Sequence, residues 1–80
     1  MRIDKYLKVS RLIKRRTVAN QACDGERICV NGRLVKPSYQ VKPGDIIEIA
    51  YGQRTLKVEV TAITETASKE SAAAMYRELT

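Results

Sequence analysis

Histidine, tryptophan and phenylalanine are absent from the 80 residues, and cysteine occurs only at Cys23 and Cys29. Without histidine there is no imidazole base, no Ser-His or Cys-His pair, and no imidazole metal ligand. Two thiols alone cannot complete a four-ligand zinc site. Near the basic residues described below, no paired carboxylates stand at a helix-compatible spacing. No catalytic machinery is visible, so an enzyme is the least favoured reading, and neither a cofactor nor a metal is expected. The whole aromatic content is Tyr6, Tyr39, Tyr51 and Tyr76. A protein that binds single strands by stacking their bases would carry more. Tyr6 is expected in the core.

Long apolar runs are also missing, and nothing approaches the roughly 20 residues of a membrane span. The opening Met1-Arg2-Ile3-Asp4-Lys5 leads into a charged amphipathic stretch rather than the apolar centre of a signal peptide. The expectation is a cytoplasmic protein with no membrane partner, whose two cysteines are small buried hydrophobes rather than a redox pair. The length is that of one domain, with little room for an enclosed active site.

What the chain does have is positive charge in one place. Lys plus Arg number 15 against 9 Asp plus Glu, a net +6. Residues 1–16 hold seven of the cations, Arg2, Lys5, Lys8, Arg11, Lys14, Arg15 and Arg16, against Asp4 alone. The remaining residues carry eight charges of each sign. The excess therefore lies entirely in the first fifth of the chain. A field focused in this way suits a polyanion. Arginine at the end of the cluster adds the planar fork that binds phosphate bidentately. With so few aromatics, structured RNA recognised through shape and phosphates is favoured over a stacked single strand. Asp4 either pairs with Lys8 at i+4, the arrangement that helix spacing favours, or orients Arg2 or Arg16.

The periodicity predicts a helix over residues 2–9, with Ile3, Tyr6 and Leu7 on its apolar face. Leu12 and Ile13 anchor a bend. A second helix runs from Val18 to Cys23 or Asp24, with Thr17 as N-cap and Gly25 as the glycine beyond its end. From Glu26 the period becomes two. Asn31-Gly32 marks a hairpin between Ile28–Val30 and the strand at residues 33–36. Pro37–Gln40 is a loop and Pro43-Gly44 a turn. Strands follow at residues 46–51 and 55–62. Residues 65–80 read as a terminal helix capped by Ser68, with Met75, Tyr76 and Leu79 on one face, docked on the domain or on a partner. The expected fold class is α+β. Two N-terminal helices pack on a small curled, mainly antiparallel sheet across residues 1–64, and a short C-terminal helix lies in the tail, residues 65–80.

Arg2-Ile3-Asp4-Lys5 opening a helix, Lys14-Arg15-Arg16-Thr17, and Gly25-Glu26-Arg27-Ile28-Cys29-Val30-Asn31-Gly32 together resemble the alpha-L RNA-binding motif, first described in small-subunit ribosomal protein S-four. The stretch from Val35 to Asp45, with its Pro43-Gly44-Asp45, continues the likeness, which covers about residues 2–50. Over its whole length, including the Ala73-Ala74-Met75-Tyr76 tail, the chain resembles the RqcP (YabO) family. These proteins are related to the bacterial heat-shock protein of fifteen kilodaltons. The net −1 over residues 65–80 separates this chain from that relative's more basic tail.

The resemblance implies a non-catalytic RNA-binding factor of bacterial ribosome-associated quality control. Such a factor sits on stalled large subunits that carry peptidyl-tRNA, and it contacts large-subunit rRNA and the P-site tRNA. With RqcH on the same subunit, it supports alanine tailing by favouring A-to-P-site tRNA movement. By family position, Arg2, Arg15 and Arg16 are the principal RNA contacts and Asp4 an orienting or contact residue. Lys5, Lys8, Arg11 and Lys14 are supporting phosphate contacts, and the chain acts as a monomer. Two other readings stand beside this one. The first is an assembly or recycling factor of the same fold. The second is a protein-interaction subunit that uses its tail helix.

Overall fold

The computed structural model describes residues 1–79. Five strands form one open, wholly antiparallel sheet, and three helices accompany it. The helices are α1 (Ile3–Val9), α2 (Arg16–Asp24) and α3 (Lys69–Ala73). The strands are β1 (Ile28–Val30), β2 (Arg33–Leu34), β3 (Ile46–Tyr51), β4 (Arg54–Val60) and β5 (Tyr76–Glu78), in the order β2-β1-β3-β4-β5. The expected α+β class and its paired N-terminal helices are therefore present. No helix among the described residues is long and apolar enough to cross a membrane.

Period-two alternation assigns the sheet faces. Ile28, Val30, Ile47, Ile49, Val58 and Val60 are buried. Against them lie Ile3, Tyr6 and Leu7 of α1 and Ala19, Ala22 and Cys23 of α2. The small residues of α2 let it sit close to α1, which fixes the two basic elements relative to each other. Cys23 is buried as expected, while Cys29 is only half-buried. Burial, helped by the charges of Asp4 and Asp24, raises the Cys23 thiol to about 11, so it stays protonated at neutral pH.

The turns follow their sequence signals. Asn31 and Gly32 both take positive φ, 52° and 83°, as a two-residue hairpin turn of the primed kind requires. Gly44 takes φ 95° after Pro43, and the Asp45 N–H closes the turn onto the Lys42 carbonyl at 3.1 Å. Asp45 then ties three segments together. Its carboxylate accepts from the Asn31 amide at 3.1 Å, the Tyr39 hydroxyl at 3.3 Å and the Lys42 N–H at 3.0 Å. Asn31 Oδ1 in turn accepts from the Ile46 N–H at 2.9 Å. The Asn-Gly and Pro-Gly-Asp motifs thus form one polar clasp around the buried Asp45, and their work is structural.

Three local expectations are corrected. Thr17 is not the N-cap of α2. The helix begins two residues earlier than expected, at Arg16, Arg15 takes the extended cap conformation, and no side chain caps the end. Gly25 stands at the end of α2 with φ −82°, and the left-handed residue is the following Glu26, φ 59°. The largest difference lies in the tail. Ser68 does cap α3, accepting from the Ser71 N–H at 3.2 Å, but the helix stops at Ala73. Tyr76–Glu78 instead pair with the edge of β4, and the Arg77 guanidinium meets Glu59 at 2.6 Å across that pair. Met75 is fully buried and Tyr76 half-buried, so this part of the tail docks on the domain. Leu79 does not share their face and stays exposed, and Thr80 lies outside the described residues.

Candidate nucleic-acid interface

The basic residues occupy the N-cap of α1, α1 itself, the bend at residues 10–15 and the first residue of α2. The rest of the molecule positions them. At the start of α1 the chain end lies along the Pro37–Gln40 loop. The Ile3 N–H donates to the Tyr39 carbonyl at 2.7 Å, the Asp4 N–H to Pro37 at 3.3 Å, and the Val41 N–H to Met1 at 2.9 Å. Helix-terminal N–H groups that a capping side chain would ordinarily satisfy are met by this loop instead. Arg2 therefore stands on a fixed backbone.

Asp4 is the hub of a side-chain cluster, only 2% exposed. Its carboxylate accepts from Arg2 Nε at 3.2 Å and Nη2 at 3.1 Å, from Asn20 Nδ2 at 3.2 Å, and from its neighbour's N–H, that of Lys5, at 2.8 Å. Arg16 Nη2 lies 3.5 Å away. Burial alone would raise the carboxyl pKa. The hydrogen bonds from Asn20, the Lys5 N–H and Arg2, with the Arg16 charge, outweigh burial and hold it below the ordinary aspartate value. The i+4 pairing of Asp4 with Lys8 does not form, because the side chain turns inward between α1 and α2. Asp4 is thus the orienting residue of the alternative reading. Arg2 and Arg16 are each a little under half exposed; Arg2 forks onto the buried carboxylate through Nε and Nη2, Arg16 reaches it through Nη2 alone, and both keep donors free. Thr17 and Gln21 complete the rim of this shallow depression, beside the uncapped N-terminus of α2. Two guanidinium groups and free helix N–H groups converge there, a geometry suited to phosphate.

The other cations lie along α1, the bend and the start of α2. Lys5 reaches across to Glu65 at 2.5 Å, and this hydrogen bond and charge hold the exposed Glu65 carboxyl below its usual value. Lys8, Arg11 and Lys14 line a groove whose far wall is Glu65, Thr66 and Ala67. Arg15 is exposed at the start of α2. None of Lys8, Arg11, Lys14 and Arg15 has a carboxylate partner among the described residues. The structure thus brings Arg2, Asp4 and Arg16 into one cluster and Lys8, Arg11 and Lys14 into a second, with Lys5 held to the tail.

Two features lie beyond sequence reasoning. Arg11 takes φ 66°, the left-handed conformation that glycine ordinarily supplies where a helix ends. An arginine there costs about 1 kcal/mol or more relative to glycine. The bend itself is held at three points. Ile13 is buried, its N–H donates to the Leu7 carbonyl at 3.0 Å, and the Tyr51 hydroxyl donates to the Leu12 carbonyl at 3.1 Å. Tyr51 and Asn20 gave no signal in the sequence, since their roles arise from contacts 39 and 16 residues distant.

With this geometry in place, comparison with known proteins is informative. The S4 domain family matches residues 1–47. A Bacillus subtilis protein named RQC P-site tRNA stabilizing factor is 51% identical over 76 residues, 95% of this chain and 88% of its own. A Streptococcus pneumoniae protein of the same name is 53% identical over 76 residues, 95% of this chain and 86% of its own. Among solved structures, the trimeric structure of Vibrio cholerae heat shock protein 15 superposes with a TM-score of 0.91. It is 29% identical and covers 99% of this chain and 81% of that one.

Proposed function

Since the chain belongs to the S4-domain family, among relatives named RQC P-site tRNA stabilizing factor, we propose that it holds tRNA in the P site of a stalled large subunit. The observation that carries this reading is the clustered, oriented charge. Arg2 and Arg16 are fixed by a buried carboxylate, and four further cations between them in the chain, Lys8, Arg11, Lys14 and Arg15, have no carboxylate partner among the described residues. Arg2, Arg15 and Arg16 make the principal RNA contacts. Lys5, Lys8, Arg11 and Lys14 add phosphate contacts, and Asp4 orients the two guanidinium groups. A compact wedge with one basic face touches tRNA and large-subunit rRNA together. It acts without catalysis, as a monomer in the cytoplasm.

Acting beside RqcH, the protein supports alanine tailing of the nascent chain. Its part is thermodynamic. It moves the A-to-P-site equilibrium by the difference in its affinity for tRNA in the two positions, and by no more. Peptide-bond chemistry stays with the ribosome.

The test is co-sedimentation of the Arg15→Ala/Arg16→Ala double variant with peptidyl-tRNA-bearing large subunits. We expect the variant to keep its fold, because both side chains are exposed, and to leave the subunit fraction. Normal co-sedimentation refutes the assignment. Association with immature subunits instead of tRNA-bearing ones would point to an assembly factor of the same fold.

A further inference from the structure

The groove between the bend and the tail has the chemistry of a nucleotide site. One wall carries Lys8, Arg11 and Lys14, cations with no carboxylate partner among the described residues. The opposite wall offers acceptors, the Glu65 carboxylate and the Thr66 hydroxyl. Val9 on the first wall and Ala67 on the second, both half-buried, add the groove's apolar surface. The volume, about 600 Å³, lies within the range of small-molecule sites. Arg11 holds its side chain at this groove although its left-handed backbone would be relieved by glycine. The Tyr51 hydroxyl on Leu12 and the Lys5 contact with Glu65 tie the two walls to the body of the domain.

A base-paired helix presents phosphates to such a wall but keeps its bases stacked. An unstacked base does otherwise: it lays an apolar face on that surface and turns its N–H groups toward acceptors. We propose that this groove receives a single unstacked nucleotide of the bound RNA. Its phosphate lies on Lys8, Arg11 and Lys14, its base on Val9 and Ala67, and its base edge meets Glu65 or Thr66. The inference rests on the RNA-binding reading and adds a preference to it. Phosphate contact alone does not distinguish paired from bulged RNA, and this groove does.

The experiment compares binding to an RNA hairpin carrying one bulged adenosine with binding to the same hairpin fully paired. The full chain is expected to bind the bulged RNA about tenfold tighter, the effect of burying one base face on aliphatic side chains. Ala67→Leu narrows the groove and should bring the ratio close to one. Thr66→Glu, at an exposed position that leaves the fold alone, should weaken both complexes by charge and also abolish the ratio. Equal affinity of the native chain for both hairpins overturns the groove assignment and leaves the RNA-binding reading intact. A tenfold ratio that survives both variants also overturns it. Failure to bind either hairpin removes both.

Discussion

Arg11 and Asp4 show at single-residue scale how the interface is built. Arg11 occupies a backbone conformation suited to glycine, and it does so in the middle of the basic segment. Strain of this kind is retained where the side chain is needed. Arg11→Gly is therefore expected to stabilise the fold by about 1 kcal/mol, read as a higher melting temperature. The same variant should bind RNA more weakly and lower the salt slope by about one. Asp4 makes the opposite trade. Because its folded pKa lies below the unfolded value, its contribution to stability is complete above the ordinary aspartate pKa of about 4 and is lost as pH falls through the folded value. Asp4→Asn should remove that acid-side dependence and cost about 1–3 kcal/mol at neutral pH, measured by denaturant unfolding across pH. Asn keeps the size but not the charge, so Arg2 and Arg16 lose their common anchor and RNA affinity should fall as well.

At the scale of elements, the bend between α1 and α2 depends on a strand remote from it in sequence. The Tyr51 hydroxyl at the end of β3 is the side-chain link to the Leu12 carbonyl. Tyr51→Phe is expected to cost no more than about 1 kcal/mol of stability, because the group is largely exposed. RNA affinity should nonetheless drop several-fold, since the bend that carries Arg11, Lys14 and Arg15 loosens. Unchanged binding would show that Ile13 alone fixes the bend. The tail carries a related lesson. An alanine-rich stretch with Met75, Tyr76 and Leu79 reads as one helix, and Ser68 does begin one. The unpaired edge of β4 then captures Tyr76–Glu78, and the Tyr6 hydroxyl donates to the Met75 carbonyl at 2.8 Å. Open strand edges and buried polar groups require partners, and here that requirement exceeds a few tenths of a kcal/mol of helix propensity.

For the whole molecule, the determining property is the excess of positive charge gathered in residues 2–16. Arg2 and Arg16 share Asp4, and Lys5 shares Glu65, yet the segment keeps its excess because both carboxylates are already occupied. If all seven cations meet phosphates, RNA affinity should fall on the order of 10³- to 10⁴-fold between 50 and 200 mM salt. A titration with tRNA read by fluorescence anisotropy measures this. A slope of two or three would confine the contact to the Arg2–Arg16 cluster.

The class of fold, the hairpin at Asn31-Gly32, the turn at Pro43-Gly44, the first helix and the location of the charge are all legible along the chain. They rest on local rules: alternation, turn conformations and a count of charges. The burial of Tyr6 and Cys23 follows from the same patterns. That Asp4 faces Arg2, Arg16 and Asn20 rather than Lys8 emerges only in the folded domain, because that choice depends on how closely α2 approaches α1. The Pro37–Gln40 loop as support for the first helix, the hold of Tyr51 on the bend, the fifth strand and the groove facing Glu65 were likewise decided there. Each joins segments distant along the chain, and such pairings are selected by burial and hydrogen-bond satisfaction of the assembled domain rather than by any local preference.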